Sequence, residues 1–350
     1  MKKKLLILSG IFLGTIIISV LFINIMTPST DKDNNKVIST SFYPVYVITE
    51  NLIDGIFDLD VVNMTSETSG CLHDYQLTSS DMKNLENSDL LIINGGGMEG
   101  FIDDISAAYP DLKIVDSSIG IELIKGSTCT HNHAEESTDV HAHEYENESA
   151  EEHSLEHEDE SLDEHNCELE DESLDEHTHD NCSHNSHMWL NTTLYCEQIN
   201  NVYNGLLEQY PEYKKELSSN LAIYLAKVNN IASELDSLEF PEHTEIIIFH
   251  DAFAYMANDL NLHVSQCINI DGDTSLSAGE IADCINHIKE HNIQLLFTEA
   301  QFDSTIADRI AEETGAKVIV IDTLVSGDNS KDSYINGMKK NLQTLREALQ

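Results

Sequence analysis

The chain has 350 residues, with 63 Asp+Glu against 18 Lys+Arg and a formal charge of −45. A polymer this acidic cannot hold a nucleic-acid backbone by counterion release, and anionic lipid headgroups repel it, so its natural partners are cations. At 41% apolar residues it can build real cores, in one large domain or two ordinary ones.

Lys2, Lys3 and Lys4 precede an uncharged apolar run from Leu5 to Met26, which as a helix spans about 33 Å, enough to cross a bilayer. No small-x-small cleavage site stands before Ser29, and no cysteine precedes Cys71 to accept a lipid. The run is expected to be an uncleaved anchor, with the lysines inside and everything after Met26 outside the cell. A cleaved signal peptide, leaving a secreted chain, is the alternative. Residues 27–36 read as a polar linker, closing a leader of residues 1–36.

Strands are expected at 37–42, 60–64, 89–94 and 113–116, alternating with helices such as Val45–Ile56 and Thr78–Glu86. This alternation argues a parallel sheet covered by helices. Asn94–Gly97 is a Gly-rich turn after a strand. It lacks the spacing of a dinucleotide or phosphate loop, so it reads as a plain strand-to-helix turn.

Residues 131–186 break the pattern with 21 Asp/Glu, 10 His and no Lys or Arg, and the heptapeptide DESLDEH occurs at 159–165 and again at 171–177. So few apolar residues cannot offset the ordering entropy, which predicts a disordered loop. Imidazole interleaved with carboxylate suits zinc, nickel and copper, so the loop is expected to bind metal weakly at many points. The seven cysteines include no C-x-x-C pair.

A helix is expected at 192–209 and a long one from Pro211 to about Leu238, with Leu217, Leu221, Tyr224, Leu225, Val228, Ile231 and Leu235 at helical steps. Then strands at 245–249, 262–270, 293–298 and 317–321 alternate with helices at 277–291 and 303–314, before a last helix from Ser333 to Leu349. The expected fold is α/β: a lobe over 37–211, a linking helix over 212–240 and a second lobe over 241–350. Each lobe is a parallel sheet covered by helices, with a cleft at the carboxyl ends of the strands, where open α/β sheets bind ligands.

Seven histidines lie outside the insert. His287 and His291 share a helix face but have no third partner nearby in sequence, and His243 and His263 show no context beyond loop and strand. His73, His187 and His250 each stand at a strand end or beside an aromatic residue. Three neutral imidazoles and one carboxylate complete a tetrahedral zinc shell, and Glu299 and Asp322 are the carboxylates at equivalent strand ends. Asn269, Asp271, Asp273 and Glu280 have calcium-loop spacing, but Thr274 stands where glycine is required and the flanks are strand and helix, which argues against calcium.

The motifs SFYPVY (41–46), HDYQLTSSD (73–81), HMWLN (187–191), FHDAFAY (249–255) and FTEAQF with VIVID near the end resemble the zinc-specific solute-binding proteins of bacterial ABC metal importers, the cluster A-I family. The resemblance covers residues 37–350 apart from the insert, and it implies two lobes joined by a long helix. It implies His73, His187 and His250 as ligands, Asp322 or water as the fourth, and Glu299 as an acidic neighbour of the site. A His250 where manganese members carry Glu implies Zn2+. The chain departs from the family in having Cys71-Leu72 before the first histidine, in lacking the prolines of the second motif, and in having no lipid-accepting cysteine. The function so implied is not enzymatic. It is the capture of Zn2+ outside the cytoplasm and its delivery to a membrane permease with a cytoplasmic ATPase, by a monomer tethered at its N-terminus. The alternatives are an extracellular metal buffer or adhesin, and a zinc hydrolase. No H-E-x-x-H or nucleophile motif supports the last.

Overall fold

The computed structural model describes residues 35–65, 70, 72, 75–126, 184–268, 276–300 and 305–349. The expected anchor, His73 and all but the last three residues of the expected acidic loop lie outside the described residues. Among those described, no helix is long and apolar enough to cross a membrane.

The first half is a four-stranded, all-parallel sheet of β1 (Lys36–Thr40), β2 (Leu59–Asn63), β3 (Leu90–Ile93) and β4 (Lys113–Asp116), in the order β2-β1-β3-β4. Its crossovers carry α1 (Tyr43–Leu52), α2 (Ser79–Glu86) and α3 (Ile102–Ala108). All four residues of β3, LLII, are buried, as a strand covered on both faces requires. Pro44 sits in the first turn of α1, where a missing N–H costs nothing. Thr78 and Asp81 cap α2 reciprocally.

Two antiparallel helices follow, α4 (Thr192–Gln209) and α5 (Lys214–Asp236), joined by a 3-10 turn at Pro211–Tyr213. Leu217, Tyr224, Val228, Ile231 and Leu235 of α5 are buried on one face, and the expected Leu221 and Leu225 flank it half-buried. Gly205 lets α4 lie directly on β4, because a Cβ there would stand 2.4 Å from Val115 Cγ2.

The second half repeats the first. β5 (Glu245–Ile248), β6 (His263–Cys267), β7 (Leu295–Glu299) and β8 (Lys317–Ile321) form a parallel sheet in the order β6-β5-β7-β8, the same winding. Its crossovers hold α6 (Phe253–Asp259), α7 (Ala278–His291) and α8 (Thr305–Thr314), and α9 (Ser333–Ala348) closes the chain. Ser277 and Glu280 form a capping box on α7, a structural use for the glutamate that had calcium-loop spacing. The sequence pattern had not marked α3 and α6, each a short helix.

One apolar cluster runs through both halves, from Ile38 and Leu91 through Trp189, Tyr224 and Phe253 to Leu345. Within it Tyr195 of α4 stacks on Tyr334 of α9 with ring centroids 3.8 Å apart, and its hydroxyl meets that of Tyr224 on α5 at 2.9 Å. A smaller cluster around Ile247, Cys284, Ile288, Leu296 and Ile310 packs α7 and α8 on the second sheet.

Candidate metal site

In the second sheet the winding reverses between β5 and β7, and the crevice beyond their carboxyl ends is where such sheets take ligands. β5 still bonds to β7 through Phe249 N–H and the Phe297 carbonyl, 2.9 Å, and the next residue is His250. Glu299 ends β7. Both side chains are almost wholly buried, and His250 Nδ1 meets Glu299 Oε1. A carboxylate only accepts, so Nδ1 carries a proton, and in the neutral ring the lone pair then lies on Nε2. That is the form in which imidazole binds a metal.

His187 comes from the stretch that re-enters the first half, just before a 3-10 turn at Met188–Leu190. It is buried, and its Nδ1 lies 2.8 Å from Asn185 Oδ1. That oxygen also accepts the backbone N–H of His187 at 3.1 Å, which identifies it as the carbonyl end of the amide. His187 Nδ1 therefore donates, and in the neutral ring this too puts the lone pair on Nε2. The two imidazoles stand edge to face, centroids 4.9 Å apart and planes at 79°.

Trp189 locks this arrangement. Its ring packs against His187 and edge-on to Phe42, both with centroids 5.2 Å apart, and its Nε1 donates to the Thr323 carbonyl at 2.8 Å. Asn185 ties the same stretch to the second half, donating through Nδ2 to the Asp251 carbonyl at 2.8 Å, while Tyr255 Oη donates to the Asn185 carbonyl at 2.6 Å. Lys125 and His184 pair in an antiparallel bridge, so the chain leaves and re-enters the fold at one point. The acidic loop was expected to run to 186. Composition misled there: Asn185 and Ser186 are buried parts of the site.

The first sheet fills its own switch point differently. Gly95, Gly96 and Gly97 all adopt left-handed φ values of 64 to 86°, a turn that brings the successive N–H groups of Asn94 and Gly95 onto one acceptor. The carboxylate of Glu99 occupies this nest, accepting from Asn94 N at 2.7 Å, Gly95 N at 3.0 Å and Ser41 Oγ at 2.6 Å. The Gly-rich turn thus holds a carboxyl group of its own chain, in keeping with its lack of phosphate-loop spacing. Burial pushes the Glu99 carboxyl up to about 7, against these hydrogen bonds, which pull it down. Asn94 Nδ2 then reaches the Ser186 carbonyl at 3.0 Å, linking the nest to the His187 stretch.

Of the residues singled out in the sequence, the structure brings His187, His250 and Glu299 together. Asp322 follows β8, where its Oδ1 accepts the Leu324 N–H at 2.9 Å and its backbone exchanges two hydrogen bonds with the Asn341 amide. It lines a cavity of about 240 Å³ with Tyr43, Ser333 and Tyr334, which neither histidine lines. The carbonyl of the next residue, Thr323, accepts the Trp189 indole N–H. Among the described residues no three His, Cys, Asp or Glu side chains stand in the geometry of a formed metal site. Sequence reasoning missed Asn185 and Glu99. Only proximity to HMWLN and to the glycine turn marks them, and neither type is by itself a signal.

Residues 38–348 match the family described as zinc-uptake complex component A, periplasmic. The chain is 28% identical over 333 residues to the high-affinity zinc uptake system protein ZnuA of Bacillus subtilis, covering 92% of this chain and 90% of that one. It is 25% identical over 360 residues to the zinc-binding protein AdcA of Streptococcus pyogenes, where it spans 61% of the longer relative. Among solved structures, a crystal structure of ZnuA superposes with a TM-score of 0.64 at 22% identity, covering 90% of this chain and 99% of that one. The manganese complex of the solute-binding protein FpvC from Pseudomonas aeruginosa gives 0.66 at 18% identity, covering 90% and 98%. With nearly the whole of its two lobes matched, the chain belongs to the zinc-uptake component A family, whose fold it shares.

Proposed function

We propose that this protein captures Zn2+ outside the cytoplasm, at the carboxyl ends of its two sheets, and delivers it to an ABC permease driven by a cytoplasmic ATPase. His73, His187 and His250 are the imidazole ligands in this reading, and Asp322 or a water is the fourth donor. Glu299 holds His250 from behind and offsets the net positive charge that three neutral imidazoles and one carboxylate leave on Zn2+. Nitrogen-rich ligation favours zinc over the harder manganese ion.

The observation that carries the reading is the pair His187 and His250. They are buried, drawn from different halves of the chain, with rings 4.9 Å apart and both Nδ1 atoms held by oxygen acceptors. Residues 37–211 and 241–350 act as the two lobes and 212–240 as their link. The chain works as a monomer tethered by residues 5–26. The acidic histidine loop gathers zinc near the cleft.

Calorimetric titration of residues 30–350, with and without 131–183, tests the site. One tight zinc site that survives the excision, binds manganese weakly and is lost in His250→Ala is the expected result. Loss of all zinc binding with the loop would instead make the protein a surface metal buffer.

A further inference from the structure

At the other end of the second sheet the fold assembles a cluster that sequence spacing had scattered. Glu245 opens β5, His263 opens β6 and is its direct register partner, and His291 ends α7 with His287 one turn before it. This is the amino end of the strands, about 16 Å along β5 from the His250 end. His291 Nδ1 lies 3.5 Å from Glu245 Oε2, and His263 Nδ1 lies 3.8 Å from Glu245 Oε1, so each carboxylate oxygen faces one imidazole. The His287 ring leans on His291, centroids 4.3 Å apart, and its Nε2 is 2.8 Å from Ser265 Oγ on β6.

Two features distinguish this cluster from an ordinary solvated helix face. Glu245 Oε2 is sealed from solvent and, although His291 stands within ion-pair distance, it makes no hydrogen bond among the described residues, a state that buried carboxylate oxygens rarely keep without a cation. The spacing also suits an ion: donors at about 2.0–2.1 Å from a tetrahedral zinc stand about 3.3 Å apart, close to the His291–Glu245 distance. The donors do not yet converge as a formed site. Rotation of His263, whose side chain is 69% exposed, is the movement that closes them.

We propose that His263, His291 and Glu245 form a second, weaker zinc site on the surface of the C-terminal lobe, with His287 the further imidazole in reach. Two imidazoles and one carboxylate select Zn2+, Ni2+ or Cu2+ over Ca2+ and Mg2+. The site is independent of the cleft and of the acidic loop.

The test is residue-resolved carbethoxylation of the histidines in the full chain in detergent, read by peptide mass spectrometry, with and without micromolar ZnCl2. Zinc is expected to slow labelling of His263 and His291 about fivefold or more, as metal occupies the reactive nitrogen. The protection persists in His250→Ala and disappears at His291 in both Glu245→Ala and His263→Ala. Unchanged labelling of His263 and His291 in zinc overturns the proposal and leaves a plain imidazole–carboxylate ion pair. Protection that vanishes with His250→Ala overturns it too, since the effect would then be an echo of the cleft.

Discussion

Glu99 ties folding to pH. Its carboxyl, ordinarily near 4.5, is raised to about 7 in the fold by burial, so the folded chain holds a proton that the unfolded chain has already released. The stabilisation is complete below about 4.5 and is lost as pH rises through about 7, a swing of about 3 kcal/mol. Denaturant unfolding of metal-free protein at pH 5 and pH 8 should therefore show Glu99→Gln gaining on the parent by about that amount at the higher pH. An equal difference at both pH values would mean that Glu99 stays charged in the nest. Behind the histidines, Glu299→Ala and Asn185→Leu each remove the acceptor that fixes an Nδ1 proton. Either change should weaken zinc binding about 10- to 100-fold in chelator competition.

At the scale of elements, the approach of α4 to β4 depends on Gly205. Alanine normally favours a helix by about 1 kcal/mol over glycine, but here its methyl would meet the stiff, branched Val115 at 2.4 Å. Gly205→Ala should destabilise by about 1–3 kcal/mol, and Gly205→Ala with Val115→Ala should recover part of the loss. A stabilised single variant in thermal unfolding would show that the sheet yields instead. The same scale explains what the sequence disclosed. Strands such as LLII and EIII are legible because burial on both faces demands unbroken apolar runs, and α5 because its stripe repeats over 23 residues. The short α3 and α6 give too few periods to register. Asn185 and Ser186 were hidden in a polar run whose composition continues that of the insert. The Glu245–His263–His291 cluster was invisible because it depends on the lateral register of β5 against β6, which linear spacing does not encode.

For the molecule as a whole, the bridge between Lys125 and His184 means the insert begins and ends at one place. Replacing 127–183 by a short Gly-Ser linker should leave the fold intact and raise stability by at most about 2 kcal/mol, the closure entropy of the longer segment. A drop in the thermal midpoint would show that the insert contributes packing. The shared core bears on the opposite half of a carrier's task, letting go. Wide separation of the halves would expose Trp189, Tyr195 and Tyr334 together, at about 2–3 kcal/mol for each large side chain stripped of its burial. Such an excursion is too rare to time the discharge of cargo. Under the proposed function, unloading would instead fall to the short segments that carry His187 and His250, above all the stretch 184–187, which hydrogen bonds from Asn185 and Ser186 tie to its neighbours. In that reading a receiving protein would have only to unlatch one loop, a local event and not a parting of the halves.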